Sequence, residues 1–312
     1  MPPYHRDPKS FGALKDQVFV LTGGARGVAE SIVRYLFAAG AHVFFGDIDQ
    51  DGSDKVIAAL KAENPSSANS LVAIPFDARK YEDNLALFKA AYKAHGRVDH
   101  AISCAAVTES LNWYDETLNL DTIEAAPPTV IVDVNFTGVL YFARIAAVYL
   151  RQGNEDGKLD KSLTIVGSIA SFKEQAGLFV YGPTKHGVMG LFRSTKSLMS
   201  KKFGIRINMV NPSHVNTIMG SAVHDLWVAH GLPVNEAYHV AEHVLTLAST
   251  PKKADGSIAT GIAVYVEGGE GWDIEEDLDR TDHLWMGEEM SRNSAKIDIA
   301  LGTGVSWKPT KE

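Results

Sequence analysis

The feature that most constrains this chain is a buried strand running straight into a glycine turn and then a helix. VFVLTGG (18 to 24) reads as the strand and turn, and residues 27 to 39 put Ile32, Val33, Leu36 and Phe37 on one helical face. Gly40 stands where a C′ glycine ends a helix, and HVFFGD (42 to 47) follows as a second strand. A strand, a helix and a strand joined this tightly form a βαβ unit, so the pattern predicts an α/β fold built on a doubly wound parallel sheet.

The alternation continues. Helical patterns near 52 to 63 and 82 to 95 separate strands at LVAIPFD (71 to 77) and HAISCAA (100 to 106). After Pro127 and Pro128 close a loop of more than twenty residues, a helix is expected from Thr129 to Leu150. So long a loop in a compact domain is usually functional or disordered. A polar turn (151 to 162) precedes the strand LTIVGS (163 to 168), and a helix from Gly182 to Phe203 is closed by Gly204. IRINMVNP (205 to 212) and IAVYVEGG (262 to 269) read as the last two strands, with a partly helical segment (213 to 260) between them. Past Trp272 the chain turns acidic and loses clear periodicity. A single domain over 12–271 with a C-terminal extension over 272–312 is expected.

With 45% hydrophobic and 22% charged residues the composition is that of a globular protein. A net charge of −8 argues against a nucleic-acid surface, which needs a basic face. The polar, Pro-rich start lacks the apolar core of a secretory signal, and no stretch approaches 18 uninterrupted apolar residues. Cys104 is the only cysteine, so no intramolecular disulfide forms, and it reads as a small buried hydrophobe. A cytoplasmic location with no membrane partner is expected.

Three constellations carry chemistry. Thr22-Gly23-Gly24-Ala25-Arg26-Gly27-Val28-Ala29 sits at the first strand-to-helix junction, where small residues admit a pyrophosphate and the helix N-terminus offers free N–H groups. A plain tight turn has the same composition. Asp47 ends the second strand 24 residues after Gly23, near the spacing at which an acid meets the adenosine ribose hydroxyls. It favours NAD over NADP by repelling a 2′-phosphate, or else merely caps the next turn; Arg26 keeps NADP open. Asp77 is placed to accept from the adenine amino group, or to sit in a solvated turn. Tyr181 and Lys185 lie four apart on one face at a helix start fixed by Pro183, with Ser168 thirteen residues upstream at a strand's carboxyl end. A phenol is a poor base near neutrality, but an adjacent ammonium favours its ionised form.

Together these motifs resemble the short-chain dehydrogenase/reductase family. TGGARGVA resembles its TGxxxGxG loop, YGPTK its YxxxK and VGSIAS its serine-bearing strand end; DVNFTGVLYFA resembles the helix of the family's asparagine, and ATGIAVYVEGG the final strand. KHGVMGLFRS and NPSHVNT are most similar to NAD-dependent hydroxyprostaglandin dehydrogenases and secondary-metabolite alcohol dehydrogenases. The resemblance implies a Rossmann-type fold over about 12 to 271, NAD as cofactor and a homodimer or homotetramer. It implies interconversion of a secondary alcohol and a ketone, on a fairly large apolar small molecule.

In the roles it implies, Ser168 binds the substrate oxygen, Tyr181 exchanges the proton, and Lys185 holds the nicotinamide ribose. Asn135 positions a water linking Lys185 to solvent. The cofactor surface it implies comprises Gly23, Ala25, Arg26, Gly27, Val28, Asp47, Ile48, Asp77, Ala78, Ala105, Pro212, Val215 and Thr217, with Tyr181 and Lys185.

Three positions depart from the family pattern. Ala29 replaces the third glycine, Ser103-Cys104-Ala105-Ala106 stands in place of NNAG, and Ser213 replaces the glycine of a PG pair. The second puts local hydrogen bonding in question, with Ser103 able to supply part of it, and the third the backbone near the nicotinamide. None removes a proton-transfer group.

Eleven histidines show no metal-ligand spacing. His186 reads as a surface or packing residue, and His214, His224 and His230 fall in the segment where the family keeps its lid. There Met219, Leu226, Trp227 and Val228 fit either an apolar substrate wall or ordinary packing. Asn112, Trp113 and Tyr114 sit in the long loop before Pro127 and are candidates to line the pocket from the opposite side. Competing functions are a non-catalytic dinucleotide-binding sensor or scaffold, an NADP-dependent ketoreductase, and a dehydratase or epimerase. The glycine spacing argues against the last.

Overall fold

A computed structural model describes residues 1–109, 111–154 and 157–304. Ser110 of the long loop, Glu155 and Asp156 of the polar turn and residues 305–312 of the expected extension lie outside the described residues. Ten strands are found among the described residues: β1 (Val18–Thr22), β2 (His42–Asp47), β3 (Leu71–Pro75), β4 (His100–Ser103), β5 (Ser162–Val166), β6 (Arg206–Pro212), β7 (Val215–Asn216), β8 (Asn235–Glu236), β9 (Ala263–Glu267) and β10 (Glu270–Asp273). Eight form one sheet in the order β10-β9-β6-β5-β4-β1-β2-β3. All of its pairings are parallel except β10 on β9. The order reverses between β1 and β4, the crevice where open α/β sheets bind ligands.

The longer helices are α1 (Gly27–Ala38), α2 (Gln50–Glu63), α3 (Tyr81–His95), α4 (Val130–Leu150), α5 (Tyr181–Ser197), α6 (Ser221–Ala229), α7 (Ala237–Ser249), α8 (Ile274–Met286) and α9 (Glu288–Leu301). Strand alternation sends Phe19 and Leu21 to one face of the sheet, against Ile32, Leu36, Val56, Val240 and Val244 of α1, α2 and α7. Val18 and Val20 go to the other, against Leu87, Phe88, Phe142 and Val188 of α3, α4 and α5. Two apolar cores on opposite faces are what make the sheet doubly wound, as the sequence predicts. By length and composition α4 could cross a bilayer. In the fold it is a core helix packed against α3, with Val139, Phe142, Ala146 and Leu150 buried.

Several boundaries move for identifiable reasons. β3 stops at Pro75 because Phe76 N–H makes the last ladder bond, to Asp47 O, and Asp77 then enters a turn held by Arg79. β4 stops at Ser103 because the next two amides leave the ladder for Thr22 Oγ1. Within 213–260, β7 and β8 form a small parallel pair that the sequence reading lacks.

The chain past Trp272 departs most from expectation. β10 crosses the expected boundary at 271, and two helices follow; Asp273 caps α8 by accepting from Glu275 N–H at 3.0 Å. Residues before 12 are also tied in: Tyr4 N–H donates to Gly271 O at 2.7 Å, and Asp273 N–H to Pro2 O at 3.0 Å.

Candidate active site

The glycine loop bridges β1 and α1. Gly23 has φ +87°, and a Cβ there would lie 3.0 Å from Ala105 Cα, so the loop and the end of β4 approach as only glycine allows. Gly27 opens α1 at φ +63°, and the Thr217 methyl lies 3.4 Å from where its Cβ would be. Arg26 occupies the N-cap without a side-chain cap bond, so no cap side chain occupies the first-turn amides of α1. Ala29 is buried in the core between helix and sheet, as expected of a small residue there, and Val28 packs partly buried against the same core.

Asp47 is buried at the end of β2, where Oδ2 accepts from Ala25 N–H and Oδ1 from Asp49 N–H, each at 2.9 Å. The carboxylate thereby fixes the loop and keeps lone pairs for a further donor. Arg26 reaches Asp49 at 3.3 Å and stays half exposed, while Ile48 projects beside it. Asp77 pairs with Arg79 at 2.6 Å, and the guanidinium lowers its carboxyl below the ordinary range. An adenine amino group there would share it with Arg79. Ala78, Ala105 and Thr22 line one small pocket together with Asn84, Val139 and Phe142. Pro212 ends β6, and Val215 lies on β7.

The departures from the family pattern find local compensation. Among the described residues Thr22 takes up the amides of Cys104 and Ala105, at 3.1 and 3.0 Å, in place of the expected Ser103 contribution. Ser213 has no left-handed backbone to strain it, and its hydroxyl accepts from the buried Asn235 amide at 3.0 Å. Asn235 also bonds Val266 O and Gly269 N, which ties β8 to the end of β9 and the turn after it. Cys104 packs against the core; burial pushes its thiol up to about 12.

On the other side of the crevice Ser168 caps a short 3-10 turn, Ile169–Ser171. Its Oγ accepts from Ala170 N–H at 3.1 Å, which leaves the hydroxyl proton free to donate. That turn packs on α5, whose first residue is Tyr181. Lys185 is buried one turn later; its ammonium lies 5.5 Å from the Tyr181 ring centre and donates to Val166 O at 3.3 Å. Serine, tyrosine and lysine thus gather at the carboxyl end of β5.

Asn135 joins them from α4. It lies in a π-turn, Asp133–Thr137, where Gly138 N–H reaches back to Asp133 O; such turns recur at functional sites. The neighbouring Phe136 presses on Gly187, where a Cβ would come within 2.9 Å of the ring, so α4 and α5 are in contact here. The side chain of Asn135 is turned to Val107, accepting Val107 N–H at 2.9 Å and donating to Val107 O at 2.8 Å.

One residue was missed by sequence reasoning. Glu109, in the long loop, accepts the N–H groups of Val180 and Tyr181 at 3.2 and 2.8 Å. It sits 72 positions from Tyr181, beyond any local motif.

Apolar groups stand exposed on both flanks. Tyr114 packs edge-on to Phe179 at 5.1 Å, no residue of α6 is buried, and Leu226 and Val228 on that helix, with Met219 just before it, are open rather than packed inside. Trp227 is tied to Pro233 O and lies against His214, which pairs with His224 at 3.1 Å. His186 is a surface residue bonded to Gly182 O, and His230 is exposed with its ring bonded to Leu226 O.

The short chain dehydrogenase family model matches residues 17–225. Among known proteins, 3-alpha-(or 20-beta)-hydroxysteroid dehydrogenase of Mycobacterium bovis is 32% identical over 263 residues, covering 83% of this chain and 90% of the relative. 5′-Hydroxyaverantin dehydrogenase of Dothistroma septosporum is 28% identical over 289 residues, 89% of this chain and 92% of its own. Two solved structures share the fold at 22% identity. One is a 3-ketoacyl-(acyl-carrier-protein) reductase from Brucella melitensis complexed with NADH (TM-score 0.67; 82% of this chain, 98% of that one). The other is a short chain dehydrogenase from Burkholderia cenocepacia in complex with NADP (TM-score 0.66; 82% and 98%).

Proposed function

The chain belongs to the short-chain dehydrogenase/reductase family, an oxidoreductase acting on alcohols or ketones, and from that premise we propose an NAD-dependent enzyme for a fairly large, apolar secondary alcohol or its ketone. The observation that carries this reading is the gathering of Ser168, Tyr181 and Lys185 at the carboxyl end of β5, beside a crevice whose glycine turn and uncapped helix fit a dinucleotide pyrophosphate.

A bound nicotinamide supplies the hydride acceptor in oxidation and the donor in reduction. The rest is done by the chain itself. Ser168 Oγ donates to the substrate oxygen, and Tyr181 Oη exchanges the proton on that oxygen. The Lys185 ammonium beside the ring stabilises the charge that builds on the phenol oxygen as its proton leaves. Asn135, on the π-turn facing α5, positions a water that links Lys185 to solvent.

Asp47 supports NAD, since a carboxylate at the end of β2 repels a 2′-phosphate. A second reading, NADP-dependent ketoreduction, is favoured by Arg26, half exposed at the same mouth. The exposed apolar flanks, and relatives named for steroid and averantin alcohols, support a large apolar substrate. A homodimer or homotetramer is proposed as well, supported by Leu140 and Val148 exposed on the outer face of α4.

The test is absorbance at 340 nm with purified protein, NAD+ or NADP+ and a panel of 3α-hydroxysteroids, carveol and 1-phenylethanol. Turnover with NAD+ is expected. Silence with both dinucleotides across the panel and the matching ketones refutes the reading.

A further inference from the structure

We propose that Glu109 is a positioning residue for Tyr181: its carboxylate caps the helix that carries the tyrosine and ties the placement of the phenol to the loop flanking the substrate. The inference rests on the reading of Tyr181 as the proton-exchanging group.

It comes from accounting for every amide at the start of α5. The N-cap residue is Val180, which has no side-chain acceptor and is among the poor cap residues. Pro183 has no N–H. Gly182 N–H donates to Leu178 O at 3.0 Å and Thr184 N–H to Val180 O at 3.1 Å. Two amides remain, those of Val180 and Tyr181, and both go to Glu109 Oε2, at 3.2 and 2.8 Å. The helix therefore has no local cap and borrows one from a distant loop. A carboxylate is the favourable group at that end, because it meets the positive pole of the helix dipole.

The loop segment bearing Glu109 is itself fixed at the reacting centre. Two residues earlier Val107 is clamped by Asn135, and five residues later Tyr114 packs on Phe179, two before the tyrosine. Glu109 thus connects the Asn135 helix to the Tyr181 helix through three residues of loop. Among the described residues the second carboxylate oxygen, Oε1, is buried without a hydrogen-bond partner, and the two amides are the contacts that orient the side chain. Without the Glu109 carboxylate two amides at Tyr181 lose their acceptor and the first turn loosens, which ties the geometry of proton transfer to this residue.

The test compares Glu109→Ala and Glu109→Gln with the parent protein. Steady-state oxidation of a 3α-hydroxysteroid, carveol and 1-phenylethanol is measured together with hydrogen exchange of the Val180 and Tyr181 amides. Gln keeps an acceptor oxygen, so it should stay within about threefold of the parent in kcat. Ala should lose about tenfold or more in kcat with KM for NAD+ unchanged, and its two amides should exchange about tenfold faster. If Ala fails to fold, Glu109→Asp carries the same expectation, since it retracts the carboxylate by one methylene. Parent-like kcat in Ala, a Gln variant as impaired as Ala, or unchanged amide exchange overturns the proposal. If the parent protein turns over none of the probes, the proposed reaction is at fault and amide exchange alone decides the role of Glu109.

Discussion

Asn135 holds both backbone groups of Val107, accepting its N–H at 2.9 Å and donating to its carbonyl at 2.8 Å, although 28 residues separate them. The side chain is fully buried, so its removal leaves both groups of Val107 without their partner. Asn135→Leu should cost about 1 to 3 kcal/mol for each group left unpaired, lower the melting temperature by several degrees, and reduce kcat at least about tenfold. Thermal melting and steady-state rates check both.

Cofactor choice should turn on Asp47. Its carboxylate is held by the amides of Ala25 and Asp49, which aims it at the crevice. Asp47→Ala should lower the ratio of kcat/KM for NAD+ over NADP+ by about tenfold or more, the effect of one lost charge-assisted contact. A parent protein that prefers NADP+ contradicts this.

Cys104 should be inert. With its thiol pushed up to about 12, only about one part in ten thousand is thiolate at pH 8. A disulfide reagent should titrate essentially nothing in the native protein and one thiol after unfolding in denaturant.

Acid should destabilise the fold earlier than its carboxylates alone would. Burial lowers His100 and His243 to about 4, so both stay neutral in the native state while the unfolded chain takes up protons below about pH 6.5. Stability is then fully present above pH 6.5 and is lost as the pH falls from there toward 4. The melting temperature should decline between pH 6.5 and 5, and a flat profile there runs against the assignment.

Much of this was legible in the sequence because it is local. The junction at residues 18 to 47 signals itself by alternation, helical spacing and glycine, and Tyr181, Lys185 and Ser168 lie within one stretch of chain. What was hidden is non-local. The cap from Glu109 and the clamp of Asn135 on Val107 join residues whose proximity only the folded sheet creates. The π-turn at Asn135 changes one hydrogen-bond register inside a helix whose periodicity otherwise reads as regular. The C-terminal helices are a different case, for their signal was present. Asp273 followed by Glu275, Glu276 and Asp277 is a helix start rich in acids, with Ile274 and Leu278 one turn apart. The acidic run masked it.

The most direct test of the central claim is the rate of Tyr181→Phe, which removes one oxygen and little else. Measured beside the dissociation constant for NADH, kcat should fall by about a hundredfold or more, within the range of a lost general acid–base group, while NADH binds within about twofold of the parent. A variant that keeps more than half of the parent kcat would contradict the assignment of Tyr181 as the group that exchanges the substrate proton.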